Sequence, residues 1–220
     1  MSKLNTIGVC LAATLLLPSC GNKKVEANEQ RAFETMVIEY QSKTSMAGVE
    51  MVEHETMWID QGNNKEATLT KQESKIMGQT STEETLNITD GNWSYTINMQ
   101  DKTGTKTNIK ELKEMAQVFA KLMKVDAKSL KELVEKNGGK MLGEETFLGK
   151  TCTVIELMGT KQWLYKGVPL KIEMNKVNYV KEAVKVEENV KIPADRFKIP
   201  QGVAITEAPA LPDMQGEGES

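Results

Sequence analysis

Alternation of apolar and polar residues, cut at short intervals by turn signals, restricts this chain more than any other feature. Trp93, Tyr95, Ile97 and Met99 fall on one side of an extended segment, and Ser94, Thr96 and Asn98 on the other. A sheet wet on one face has this pattern. Leu170, Ile172 and Met174 alternate with Pro169, Lys171 and Glu173. Val180, Val184, Val186, Val190 and Ile192 alternate with Lys181, Lys185, Glu187 and Lys191, so each of these strands is expected to have one core face. Between the runs stand Asp60-Gln61-Gly62-Asn63-Asn64, Asp90-Gly91-Asn92, Asp101-Lys102-Thr103-Gly104, Leu148-Gly149-Lys150, Gly159-Thr160 and Lys166-Gly167. Turns this closely spaced predict antiparallel hairpins in a meander.

A helical period interrupts the strands. Ile109, Leu112, Met115, Ala116, Phe119, Leu122 and Met123 recur at three and four, with Thr107 or Asn108 placed to cap the first turn. A second, shorter helix fits Asp126 to Lys136, with Asn137-Gly138-Gly139 as its stop. About five strands are expected on either side of this pair. The fold class is therefore expected to be α+β, with the apolar stripe of two helices laid over the concave face of an antiparallel sheet of about ten strands.

The N-terminus reads as an export signal. Lys3 supplies a positive start, Ile7 to Leu17 an apolar core too short to span a bilayer, and Leu17-Pro18-Ser19-Cys20 resembles a lipobox. On this reading residues 1–19 are a signal peptide and Cys20, acylated, becomes the first residue of the mature chain. An ordinary secretory signal cut nearby is the alternative. Residues 20–31 are polar and read as a tether, 32–203 as one domain, and 204–220, rich in Pro, Gly and Glu, as a disordered tail.

Composition narrows the chemistry. The net charge of −3 comes from interspersed acidic and basic residues, which gives no footprint for nucleic acid. Of three Cys, Cys10 leaves with the signal and Cys20 carries lipid, so Cys152 stands alone and is expected to be a small buried residue. Glu53-His54-Glu55 is the one cluster with an acid-base partner, yet on a strand His54 points away from both neighbours, and a solvated strand face is expected. No His or Cys recurs at metal-ligand spacing, and Glu83-Glu84, Glu144-Glu145 and Glu187-Glu188 each split between two faces. No enzyme activity, cofactor or metal is expected. Met36, Met51, Met57, Met77, Met99, Met115, Met123, Met141, Met158 and Met174 are scattered through the elements. They suit either a cavity for flexible chains or the filling of an aromatic-poor core.

The stretch Gly143-Glu144-Glu145-Thr146-Phe147-Leu148-Gly149-Lys150-Thr151-Cys152, then Lys161-Gln162-Trp163-Leu164-Tyr165-Lys166-Gly167-Val168-Pro169-Leu170-Lys171, resembles the outer-membrane lipoprotein-carrier (LolA-like) superfamily. Val186-Glu187-Glu188-Asn189-Val190 and Ile192-Pro193-Ala194-Asp195-Arg196-Phe197-Lys198-Ile199-Pro200-Gln201-Gly202 continue the likeness. The Lys-rich, Met-rich style is similar to that of Bacteroidetes lipoproteins. The resemblance implies a strongly curved, incomplete antiparallel barrel with helices closing its open side over an apolar cavity. It also implies binding of an acyl chain, a lipoprotein or another apolar ligand in the cell envelope, while the lipobox, followed by Gly21 in place of the Asp that favours inner-membrane retention, leads to the expectation of a lipid anchor in the outer membrane facing the periplasm. The expected cavity residues are Trp93, Tyr95, Ile97, Met99, Met115, Phe119, Leu122 and Met123. A monomer is expected, with the membrane as partner through its N-terminal lipid. The alternative is a structural or protein-interaction lipoprotein without a ligand.

Overall fold

The computed structural model describes residues 33–46, 49–76, 78–110 and 130–208. Its strands are β1 (Thr35–Met46), β2 (Val49–Asp60), β3 (Lys65–Ile76), β4 (Gln79–Asp90), β5 (Trp93–Asn98), β6 (Thr103–Asn108), β7 (Lys140–Phe147), β8 (Lys150–Leu157), β9 (Thr160–Tyr165), β10 (Val168–Met174), β11 (Tyr179–Glu188) and β12 (Ala204–Glu207). A helix, α1 (Leu130–Lys136), precedes β7. One 12-stranded sheet contains them all, in the order β12-β6-β5-β4-β3-β2-β1-β11-β10-β9-β8-β7. The meanders β1–β6 and β7–β11 meet where β1 pairs with β11, and β12 returns to lie parallel to β6.

Two thirds of the described residues are strand, in an open, mostly antiparallel sheet, and this overturns the α+β expectation of about ten strands under two covering helices. Of the second expected helix, the described part is α1, stopped as expected at Gly138 (φ 75°), with the Gly139 N–H donating to the Val134 carbonyl at 2.8 Å. Seven residues make a helix of about 10 Å, long enough to cross roughly two strands. Val134 accordingly packs on Ile155 and Leu164, with Met141 alongside, at the β7–β9 margin. The first expected helix, with Met115, Phe119, Leu122 and Met123, lies outside the described residues beyond Lys110. Residues 204–207, expected to open a disordered tail, form β12 instead.

Directly opposed residues in a sheet share a face, so the register shows which side each half buries. The first face carries Met36, Ile38 and Tyr40 of β1, opposed to Ile59, Met57 and Glu55 of β2. These residues, Glu55 apart, cluster with Cys152, Val154, Trp163, Val168, Leu170 and Ala183. The second face carries Val37 opposed to Trp58, Trp58 to Ala67, Ala67 to Ile88 and Ile88 to Tyr95. It forms a separate cluster with Leu69, Leu86, Ile97 and Ile205, onto which Phe197 is laid.

The sheet thus changes its core side at β2, where Met57, Trp58 and Ile59 are all buried. A continuous apolar run of this kind marks a strand covered on both sides. Beyond β2 the first face turns polar, with Thr68, Asn87, Thr96, Thr105 and Thr206 opposed in succession across five strands. The single inner face expected from the alternation is replaced by two.

The face assignment of β11 is also corrected. Val180 and Val184 are 38% and 51% exposed, whereas Lys181 is only 6% exposed. Glu39 opposes Lys185 and Tyr40 opposes Ala183, so Val184 is the extra residue of a bulge, and a bulge re-aims the side chains around it. The turns at Leu148-Gly149 and Lys166-Gly167 stand where expected, the one expected at Gly159-Thr160 falls a residue earlier, and Thr103-Gly104 of the expected Asp101-Lys102-Thr103-Gly104 turn open β6. Leu148-Gly149, Met158-Gly159 and Lys166-Gly167 each join paired strands through two residues with left-handed φ, the hairpin geometry whose twist matches the strands.

Candidate functional site

Toward the β1–β2 turn, the apolar first face gives way to charge. Tyr40, Ser42 and Thr44 of β1 oppose Glu55, Glu53 and Met51 of β2, and on their other side Ala183, Lys181 and Tyr179 of β11. Ile172 and Met174 of β10 continue the last two rows, opposed to Lys181 and Tyr179. Period-two geometry alone therefore brings Ser42, Glu53, Glu55, Tyr179 and Lys181 onto one patch. Half-buried Met51, Ile172 and Met174 surround it.

At the centre Lys181 Nζ donates to Glu55 Oε1 at 2.6 Å, with side chains 7% and 9% exposed. The ammonium also lies 4.6 Å from the centre of the Tyr40 ring, whose hydroxyl donates to the Pro169 carbonyl at 2.9 Å. Withdrawing each ion from water costs several kcal/mol, so removing either partner is destabilising by about 3–5 kcal/mol. The exposed pairs Lys71–Glu84 and Lys106–Glu207 contribute about 0–1 kcal/mol each. Removing one partner of the buried pair therefore costs more than removing one partner of either exposed pair.

Glu53 is half-buried beside this pair. Burial pushes its carboxyl above the usual range, repulsion from Glu55 adds to that, and the charge of Lys181 pulls the other way. Tyr179 is pushed up to about 12, first by burial and then by the Glu53 charge, against a hydrogen bond with Ser42. The patch holds two carboxylates and one ammonium within an apolar surround. It can hold a polar group; it presents no activated nucleophile.

The expected solvated face for Glu53-His54-Glu55 is corrected. His54 is exposed on the opposite side, as the alternation required, but Glu55 is buried and Glu53 half-buried. A signal was present in the sequence, because carboxylates at i and i+2 of a strand must share a face. Their partner Lys181 stood where a solvent-facing residue was expected. Cys152 is fully buried, as expected, and burial pushes its thiol up.

Of the expected cavity residues, Trp93, Tyr95, Ile97 and Met99 lie on the second face, away from this patch. Ile97 is fully buried and Tyr95 and Met99 pack against the cluster closed by Phe197, while Lys106 Nζ sits 4.6 Å from the Trp93 ring centre. Cys20, Met115, Phe119, Leu122 and Met123 lie outside the described residues. Among the described residues no group of three or more His, Cys, Asp or Glu is placed to hold a metal ion, and no helix is long and apolar enough to cross a membrane.

No family model matches the chain. It is 30% identical over 167 residues to an uncharacterised protein of Methanocaldococcus jannaschii, a match that takes in 63% of this chain and 48% of that protein. The chain thus spans about half the length of this curated relative. Among solved structures it is similar to an uncharacterised conserved protein from Thermus thermophilus, with a TM-score of 0.49 and 7% identity, covering 81% of this chain and 93% of that one. It is also similar to a DUF1329 family protein from Desulfovibrio piger, with a TM-score of 0.30 and 10% identity, covering 78% and 92%. These three give no support to a Bacteroidetes source, and the first-face patch has to be read on its own geometry.

Proposed function

We propose that the chain is a non-enzymatic lipoprotein of the cell envelope, anchored through Cys20 at the outer membrane and facing the periplasm, that holds an acyl chain or another apolar ligand. The binding surface is the first face around Met51, Ile172, Met174 and Tyr179. The observation that carries this reading is the buried Lys181–Glu55 pair among half-buried apolar side chains. Binding sites for small apolar molecules are mostly apolar, with a few fixed polar groups that orient the ligand. The lipobox supports the anchor, since two or three acyl chains hold a protein durably at a membrane.

Lipids extracted from the full-length protein, purified in mild detergent, are expected to contain a defined amphiphile by mass spectrometry. Ile172→Asp and Met51→Asp are expected to lose it while keeping the wild-type circular dichroism. Cys20→Ala is expected to leave the membrane pellet or remain uncleaved. Retention of the amphiphile by both Asp variants would overturn the placement of the site, and unchanged fractionation of Cys20→Ala would overturn the anchor. A second reading, a scaffold without a ligand, is favoured by Lys181 and Glu55 already satisfying each other. An extract with no enriched amphiphile would establish it.

A further inference from the structure

We infer that the polar end of the ligand is a cation, a protonated amine at the head of a single apolar chain, received by the Glu53 carboxylate. This rests on the reading above. The charged and titratable groups that face the position are Glu53 and Glu55 from β2 and Lys181 and Tyr179 from β11. β1 adds the neutral Tyr40 and Ser42, β10 adds Ile172 and β3 adds Gln72, opposed to Glu53. At their formal charges, with Tyr179 neutral, these groups sum to one negative charge.

The single cation is already committed. Lys181 donates to Glu55 at 2.6 Å, lies over the Tyr40 ring, and is nearly excluded from solvent. An incoming carboxylate would have to displace Glu55 from Lys181 and would meet Glu53 as a like charge. Either costs more in a poorly solvated place than in water. An ammonium meets the opposite situation. Among the described residues none donates a hydrogen bond to Glu53, and burial has made its charge one that a cation relieves. The Tyr179 ring is in the adjacent row, where an ammonium gains further attraction from an aromatic face. Charge complementarity therefore selects an amine-headed chain over a fatty-acid carboxylate.

The test is calorimetric titration of the full-length protein, delipidated in detergent, with decylammonium, decanoate and decanol at neutral pH, below their aggregation concentrations. Decylammonium is expected to bind about tenfold more tightly than decanoate, a difference of about 1.4 kcal/mol. Glu53→Gln is expected to abolish that preference while decanol binds as before. Equal or tighter binding of decanoate would overturn the amine head and leave the apolar site standing. Preference intact in Glu53→Gln would overturn the role of Glu53. Failure of all three probes, with Ile172→Asp no different from wild type, would overturn the site itself.

Discussion

Glu188 ends β11 as a tie between turns. Its carboxylate accepts from Lys150 Nζ and from the Tyr165 hydroxyl, both at 2.8 Å, and from Lys166 Nζ. Burial pushes its pKa up, but the three hydrogen bonds outweigh that and hold it at about 2. A carboxylate depressed in the folded state contributes stability that is complete above its unfolded value, near 4.5, and is lost as pH falls toward 2. Glu188→Gln is therefore expected to cost about 1–2 kcal/mol at pH 7, after allowance for solvent screening, and almost nothing at pH 2. Urea unfolding at both pH values checks it, and a cost that does not shrink at low pH would contradict the tie. Residue chemistry was the least legible level. Nothing in Val180-Lys181-Glu182-Ala183 marks Lys181 as buried, because one bulge at Val184 decides which way the strand faces, and a bulge is a property of paired strands.

Among the elements, β6 depends on one small residue. A Cβ on Gly104 would lie 2.9 Å from the Thr96 carbonyl oxygen and 2.9 Å from Ile205 Cδ1. The first of these is backbone and cannot yield cheaply. Gly104→Ala is expected to cost about 1–3 kcal/mol, whereas Gly62→Ala, whose Cβ would come no closer than 3.6 Å to Asp60 Oδ1, is expected to be neutral or stabilising by up to about 1 kcal/mol. Thermal melts of the two variants rank them, and an equal effect would contradict the close approach of β12 to β6. Elements were the most legible level. Hairpins at Leu148-Gly149 and Lys166-Gly167 and the strand Trp93–Asn98 stand where turn chemistry and alternation put them, since both are local. The parallel return of β12 was not legible, because Ala204-Ile205-Thr206-Glu207 is too short to announce a strand without β6 beside it.

The described residues hold together chiefly through two cores on opposite sides of one sheet, with a small third cluster under α1, and the second core needs the chain that follows β11. Asn189 and Val190 pin that chain to Glu34 and Thr35, Arg196 lies over the Trp58 ring at 5.1 Å, and Phe197 closes the cluster around Ile97. Phe197→Ala is expected to cost about 3 kcal/mol and to lower Tm by roughly 6–12 °C, with increased binding of an apolar dye. An unchanged melt would mean the second face closes without the strap. Sequence alternation gave each strand a wet and a dry side but could not say that the dry side changes at β2, since that is set by which strands neighbour which.

The direction of β1 has a further consequence. The chain enters the domain at Thr35, opposed to Asp60, whereas the amine-receiving patch lies around Ser42 and Thr44, seven to nine residues farther along the same strand. At about 3.3 Å per residue the two are roughly 23–30 Å apart. Under the proposed anchoring at Cys20, Thr35 would be the end of β1 nearer the lipid and the patch would lie farther along the strand.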